Sequence, residues 1–164
     1  MKFSVTIVTC ALILTFSSIS GLGQKSGQKS ADLSQIVALL QQHDSAMNQH
    51  DLDGIMSVYA PTANIVMMGT GPGERWVGKD EIKGAYSEII KDFDKGTSTH
   101  DCYWKTGEIE GNSAWVASMC KFADSKDGKK REYELNVSGV LRRIGGKWYF
   151  QSLHFSNLTC PGTD

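Results

Sequence analysis

The feature that most constrains the fold is a change of apolar period near Gly96. Before this glycine, apolar residues recur three and four apart, which is the spacing of an amphipathic helix. After it, apolar and polar residues alternate, as in strands with one buried face. Helices followed by a run of strands indicate an α+β fold, with helices packed on one face of an antiparallel sheet. A chain of 164 residues has room for one such domain.

Three helices are predicted in the first half of the chain. The first starts at residue 31, the second covers 51–60 and the third covers 79–93. A short strand is predicted at 63–68, between the second and third helices. Pro61 ends the second helix because proline cannot continue it. The residues predicted to face the core are Ile36, Leu39, Leu40, His43 and Met47 in the first helix, and Ile82, Tyr86, Ile89, Ile90 and Phe93 in the third.

Four strands are predicted after Gly96, at about 98–109, 113–123, 130–143 and 147–157. Gly111-Asn112 and Asp127-Gly128 are typical two-residue hairpin turns. Ile144-Gly145-Gly146 is interpreted as a three-residue loop whose last glycine takes a left-handed bulge position. Because turn type sets the strand register, these three assignments decide which face each side chain takes.

The predicted register divides the sheet into an inner face, covered by the helices, and an outer face. The inner face collects Val116, Ser118, Cys120, Phe122, Leu135, Val137, Leu141, Tyr149, Leu153 and Phe155. The outer face collects Trp104, Trp115, Met119, Val140, Trp148, Phe150 and His154. Three tryptophans are too much apolar surface to leave in water, so we expect a second subunit to cover them. The predicted homodimer interface includes Trp104, Trp115, Trp148 and His154.

Three stretches together resemble the SnoaL-like branch of the nuclear transport factor 2 superfamily: AMNQHDLDGIMSVYAPTANIVMMG, WVGKDEIKGAY and GVLRRIGGKWYFQSLHFS. The resemblance covers about 32–157. It implies a cystatin-like cone, in which three N-terminal helices pack on a strongly curved, mainly antiparallel sheet that encloses a pocket. It also implies frequent dimerisation through the sheet. The last hairpin, at 146–148 and 152–156, resembles the association domain of calcium/calmodulin-dependent kinase II as well.

The resemblance also gives expectations for the pocket. Counting from the Asp-Leu-Asp-Gly-Ile stretch that ketosteroid isomerases share, His43 takes the place of their oxyanion tyrosine and Met67 that of their general base. Methionine cannot accept a proton, so isomerisation by that mechanism is not expected. The arginine positions of the kinase association domain fall on Cys120, Gly139 and Phe155, which makes the pocket apolar. The expected lining is His43, Tyr59, Met67, Trp76, Tyr86, Ser118, Cys120, Leu141, Gln151 and Phe155.

We therefore expect a pocket that binds a small hydrophobic molecule, because a few polar groups in an apolar cavity are typical of ligand sites. One alternative is a dimeric assembly module whose pocket is residual. Another is an isomerase, cyclase or dehydratase that uses His43, the one candidate catalytic residue, as a base or donor near neutral pH. Neither a metal nor another cofactor is expected, and 17 basic against 18 acidic residues do not favour nucleic acid.

The first residues have the pattern of a secretory signal peptide. Lys2 precedes an apolar run at 3–16, and small residues follow it. Ser18 with Ser20 and Gly21 with Gly23 offer two cleavage sites, of which we prefer the second. We expect a signal peptide at 1–23, a polar linker at 24–31, the SnoaL-like domain at 32–158 and a tail at 159–164. The mature chain would start near Gln24, as N-terminal sequencing of exported protein would show. It would be secreted or periplasmic, with no membrane attachment after cleavage.

Three cysteines remain in the predicted mature chain: Cys102, Cys120 and Cys160. Export permits a disulfide, but their odd number leaves at least one thiol over. On the predicted register Cys102 faces Lys121, on the opposite side of the sheet from Cys120. We therefore expect a Cys102–Cys120 bond to be absent or partial, since only a slip or a bulge would bring the two sulfurs together.

Overall fold

The structure, a computed structural model, describes residues 21–158, with side chains from residue 27 onward. Three helices and six strands follow one another as α1 Gly21–Asn48, α2 Leu52–Ser57, β1 Val66–Met68, β2 Arg75–Val77, α3 Lys79–Ile89, β3 Thr99–Glu110, β4 Ser113–Lys126, β5 Lys129–Ile144 and β6 Lys147–Asn157. The sheet order is β2-β1-β6-β5-β4-β3, and among these described strands only the β1–β6 pair is parallel. The predicted α+β fold, three helices on a curled and mainly antiparallel sheet, is confirmed.

The helices differ from the prediction mainly at their ends. Residues 24–31, predicted as a polar linker, are instead early turns of α1. The second helix is shorter than expected, and the Asp51 side chain caps it by accepting a hydrogen bond from the Gly54 amide at 3.0 Å. Strand β2 was not predicted, because three residues carry too little periodicity to stand out. Most of the predicted signal peptide, residues 1–20, and the predicted tail at 159–164 lie outside the described residues.

One buried carboxylate fixes the first half of α1 to the sheet. Asp32 is 2% exposed and accepts hydrogen bonds from Arg143 Nη1 at 2.8 and 3.0 Å and from Trp148 Nε1 at 3.1 Å. Gln28 adds a third donor at 3.0 Å. Burial alone would raise the pKa of Asp32, but the Trp148 and Gln28 bonds and the Arg143 charge outweigh it, so this pKa lies below its ordinary value. The carboxylate therefore stays ionised and joins α1 to β5 and β6.

The two hairpins around β4 show where turn chemistry predicts register and where it does not. The β4–β5 register is confirmed, with Cys120 opposite Leu135. The β3–β4 register is also as predicted from Glu110↔Ser113 to Trp104↔Met119. Beyond Trp104 the register shifts, so Cys102 pairs with Cys120 and the two form a disulfide. The expectation of an absent or partial bond was therefore wrong, because a bulge at Tyr103 turns Cys102 to the inner face.

The third hairpin also differs from its prediction. Gly145 and Gly146 both have positive φ, 57° and 81°, and Ile144 pairs with Lys147, so the loop has two residues rather than three. The predicted outer positions of Trp148 and Phe150 are therefore wrong: both lie on the inner face, 3% and 0% exposed. A second irregularity beyond Leu141 restores the predicted face, so that Leu153 and Phe155 point inward.

The core fills the cone between the helices and the β5–β6 side of the sheet. Its most buried large side chains are Tyr86, Phe150, Ile55, Ile65, Met67, Ile82, Leu141 and Val58. Each of the larger aliphatic members stabilises the fold by roughly 1.5–3 kcal/mol relative to an exposed position. The large side chains on this side of the cone are fully buried, and an open groove lies elsewhere on the same inner face.

The Cys102–Cys120 bond should be quantitative in folded, unreduced protein. Peptide mapping by mass spectrometry without reduction should find the linked pair. Replacing both cysteines by serine should lower the free energy of unfolding by about 2–4 kcal/mol, because the bond closes an 18-residue separation in the unfolded chain. Cys160→Ser is the matched control and should leave the melting temperature unchanged. Recovery of both thiols as free cysteine in denatured, unreduced protein would refute the bulged register.

Candidate functional site

An open groove of about 370 Å³ lies between α1 and the inner faces of β3 and β4. Its apolar walls come from both layers: Leu33, Ile36, Val37 and Leu40 on α1, Ile109, Ala114, Val116, Val137 and Leu153 on the sheet, and Cys102 of the disulfide. Lysines and a glutamate stand at its edge, namely Lys29, Lys105 and Glu108. This is a concave, mainly apolar surface with a few charged groups, which is the usual composition of a ligand site.

The groove follows directly from residue spacing. Lys29, Leu33, Val37 and Leu40 recur at three- and four-residue intervals, so they form one stripe along the flank of α1. Leu33 is 56% exposed and Val37 44% exposed, so the residues that the structure describes do not cover much of this stripe. On the opposite wall, Gly107 contributes no side chain to the inner face of β3. A Cβ there would lie 2.6 Å from the Trp115 carbonyl oxygen, so only glycine fits.

The residues predicted to line a pocket are divided among three places. Ser118 lines the groove, and Cys120 is bonded to Cys102 in its wall. Five belong to the closed core, where each is at most 7% exposed: His43, Tyr59, Met67, Tyr86 and Leu141. Trp76 and Phe155 are half-buried against that core, and Gln151 lies at the β6 irregularity, where it donates to the Asn64 carbonyl.

The core holds a polar chain around His43. Tyr59 Oη lies 2.8 Å from Tyr86 Oη, which lies 3.0 Å from His43 Nε2. His43 Nδ1 lies 3.4 Å from Asp44 Oδ1. With the imidazole proton on Nδ1, Tyr59 donates to Tyr86, Tyr86 donates to Nε2, and His43 donates to Asp44. Each buried polar atom of the chain then has a partner.

Burial keeps both phenols of this chain neutral. It raises the pKa of Tyr86 above its usual value, and burial together with the neighbouring Tyr86 raises the pKa of Tyr59 well above its own. Neutral phenols can donate hydrogen bonds but are poor bases. None of Tyr59, Tyr86, His43 or Asp44 lines the groove, so the network contributes hydrogen bonds to the core rather than chemistry to the open site.

The predicted interface residues also separate. Trp104 and Trp115 lie on the outer face, as predicted, and are 48% and 45% exposed. His154 is on the same face and is half-buried beside Ser138 and Met68. Trp148 is not there: it lies in the core, and its indole donates to Asp32. Its assignment to an interface was wrong because the last turn has two residues.

Sequence reasoning missed the principal groove residues. Lys29 fell within the predicted linker. Leu33 and Val37 lie on the surface of α1 next to the apolar face that was predicted, not on that face itself. Lys105, Gly107 and Ile109 alternate on β3, but the inner-face assignment was made only for later strands. The available signal was a second apolar stripe on α1 opposite a glycine in an edge strand.

Within the part of the chain from 21 to 158, no three histidine, cysteine, aspartate or glutamate side chains are placed to hold a metal ion. None of the described helices is long and apolar enough to cross a bilayer.

A model of the SnoaL-like domain matches residues 36–160. The chain belongs to the SnoaL-like family. That assignment confirms the resemblance seen in the sequence motifs and agrees with the observed cone. No curated protein matches this SnoaL-like chain.

Solved structures share the fold of this SnoaL-like protein. An NTF2-like protein with a cystatin-like fold from Novosphingobium aromaticivorans matches with a TM-score of 0.68 and 12% identity, over 90% of this chain and 94% of that chain. A Xanthomonas campestris protein, provisionally assigned as a calcium/calmodulin-dependent protein kinase II association domain, gives 0.65 and 21%, over 75% and 85%. A ketosteroid isomerase-like protein from Erwinia carotovora atroseptica gives 0.63 and 22%, over 79% and 98%. At these identities the likeness concerns the fold.

Tyr86 should be the residue on which the buried polar chain depends. Tyr86→Phe removes the hydroxyl between Tyr59 and His43 and leaves both without that partner. We expect the free energy of unfolding to fall by about 1–3 kcal/mol. Tyr149→Phe, at a half-buried position that packs beside the core, is the control and should change it by less than about 0.5 kcal/mol. Chemical denaturation measures both variants, and equal stabilities would contradict the network's structural role.

Proposed function

We propose that this SnoaL-like protein binds a small apolar molecule in the groove between α1 and strands β3 and β4. The observation that carries the proposal is the groove itself: about 370 Å³, walled by aliphatic side chains and edged by charged ones. Ligand sites typically occupy about 300–1,000 Å³ with this distribution of polar groups. Burying an exposed apolar stripe such as Leu33 and Val37 under a ligand supplies the driving force.

Binding is favoured over catalysis by the position of the titratable groups. His43 is 7% exposed and lies beside Tyr86 in the core, away from the groove. Met67 stands where the ketosteroid isomerases that the sequence resembles have a carboxylate. A general base must come within hydrogen-bond reach of the proton that it removes, and His43 does not line the space that a ligand would occupy.

The structural neighbours support this proposal only at the level of fold. The Erwinia protein is named for its likeness to an enzyme of steroids, which are apolar molecules, and the same cone in this chain carries an apolar groove. Export is likewise part of our proposal, resting on the signal-peptide pattern of residues 1–23. The protein would then bind its ligand outside the cytoplasm, where the Cys102–Cys120 bond is stable.

Filling the groove should weaken binding without unfolding the protein. Val37→Trp places a large side chain in the groove from an exposed helical position. We expect at least tenfold weaker binding of the neutral fluorescent probe N-phenyl-1-naphthylamine, measured by titration. Gln35→Trp, on the exposed opposite side of α1, is the matched control and should bind the probe as the unaltered protein does. Equal affinities in both variants would place any binding site elsewhere.

The outer sheet face supports a second function, self-assembly. Trp104, Trp115 and Val140 are 48%, 45% and 45% exposed, and Met119 lies between them on the same face. We propose that a second copy of this chain covers the face, because contiguous exposed aromatic surface is typical of protein interfaces. The likeness to the Xanthomonas protein, whose name includes an association domain, is compatible with assembly.

The unaltered protein should therefore sediment as a dimer at micromolar concentration. Trp115→Glu places a charge in the centre of the proposed interface and should shift it to monomer by at least tenfold in dissociation constant. Glu88→Gln, on the exposed surface of α3, should remain dimeric. Sedimentation velocity distinguishes the two species. A monomeric unaltered protein would remove the case for this interface.

A further inference from the structure

Two lysines stand at the groove from opposite walls. Lys29 lies on α1, one turn before Leu33 in the groove stripe. Lys105 lies on β3 opposite Ser118, on the inner face that the groove occupies. Both residues are exposed. Two cationic side chains from separate elements therefore border the same apolar space.

Neither of these lysines is neutralised by a described carboxylate. Elsewhere in residues 27–158, lysines form salt bridges to Asp53, Glu88 and Glu134, at 2.8, 2.7 and 3.8 Å. No described carboxylate oxygen comes within 4.0 Å of the Lys29 or Lys105 nitrogen. Glu108 borders the groove too, but it pairs with Trp115 and points to the outer face of β3. The edge of the groove on its inner side is therefore positive.

The interior offers little to a charged group. Apart from Ser118, its walls are mainly Leu, Ile, Val and Ala side chains with the disulfide, and a charge moved among them would lose most of its hydration without compensation. An anion can gain from the lysines only if it stays at the edge while its apolar part enters. Such a ligand is amphiphilic, with one anionic end and one apolar end.

We propose that the groove binds a single-chain anionic amphiphile, whose carboxylate stays at the lysine-bearing edge of the groove and whose apolar chain lies along Leu33, Val37, Ile109 and Val116. The proposal rests on the function proposed above and adds the chemical class of the ligand. With about 30 Å³ for each water-sized group, 370 Å³ accommodates roughly twelve non-hydrogen atoms. Decanoate has this size.

The charge requirement is tested by competition against bound N-phenyl-1-naphthylamine with three ligands of equal chain length: decanoate, decan-1-ol and decyltrimethylammonium. Decanoate should bind best, by about tenfold over decanol, and shortening it should weaken binding by roughly fourfold per methylene. Added salt should reduce the preference for decanoate, because the lysines are exposed.

Variants separate the head group from the chain. Lys29→Gln and Lys105→Gln should each weaken decanoate binding several-fold and leave decanol unchanged. Lys105→Arg should keep decanoate binding, and Lys105→Glu should move the preference toward decyltrimethylammonium. Lys147→Gln, at the exposed start of β6, is the matched control and should have no effect. Melting temperatures verify that each variant is folded.

The two proposals fail in different ways. If decanoate and decanol bind equally and the lysine variants change nothing, the groove binds apolar ligands but the anionic amphiphile is wrong. If no ligand displaces the probe and Val37→Trp does not weaken probe binding, both proposals fall. If probe binding declines as protein concentration rises, a second copy covers the groove, and the amphiphile proposal is again overturned.

Discussion

The groove depends on the hydrogen bonds that hold Asp32 against the sheet. Without them, the first half of α1 would have no polar connection to β5 and β6 among the described side chains, and helices of polar sequence are marginal in isolation. Arg143 brings a positive charge to the Asp32 carboxylate, and Trp148 donates a neutral N–H to it. Burying this anion without such partners would destabilise the fold. This contact places Lys29, Leu33 and Val37 over β3 and β4, and those three residues form one wall of the candidate site.

The inner face of the sheet carries both a solid core and an open groove, and side-chain size explains the difference. On the β5–β6 side, Leu141, Trp148 and Phe150 are large enough to reach the helices and exclude space. On the β3–β4 side, small residues alternate with medium ones, and Gly107 contributes nothing beyond its backbone. The buried His43–Tyr86–Tyr59 chain lies on the filled side, where its hydrogen bonds compensate for the loss of water.

The sequence predicted the fold class and most strands because helical and alternating periods are local properties. It predicted the β4–β5 register because Asp127-Gly128 suits one tight turn well. It did not predict the β5–β6 register, since Gly145-Gly146 is compatible with more than one loop length, and one residue of difference moved Trp148 from surface to core. The bulge at Tyr103 has no glycine to mark it, so the Cys102–Cys120 bond could not be inferred. The groove was missed for a related reason: its walls are adjacent only after α1 is fixed by Asp32.

Strand β3 is the last strand at one end of the sheet order, and its outer backbone groups could in principle pair with another chain. Three features described above act against that pairing. The bulge at Tyr103 interrupts the regular ladder, Lys105 places a charge on the inward side, and the disulfide prevents the strand from peeling away and re-registering. These features disfavour the addition of another strand along the twelve residues of β3, which would otherwise be an open edge for β-sheet extension.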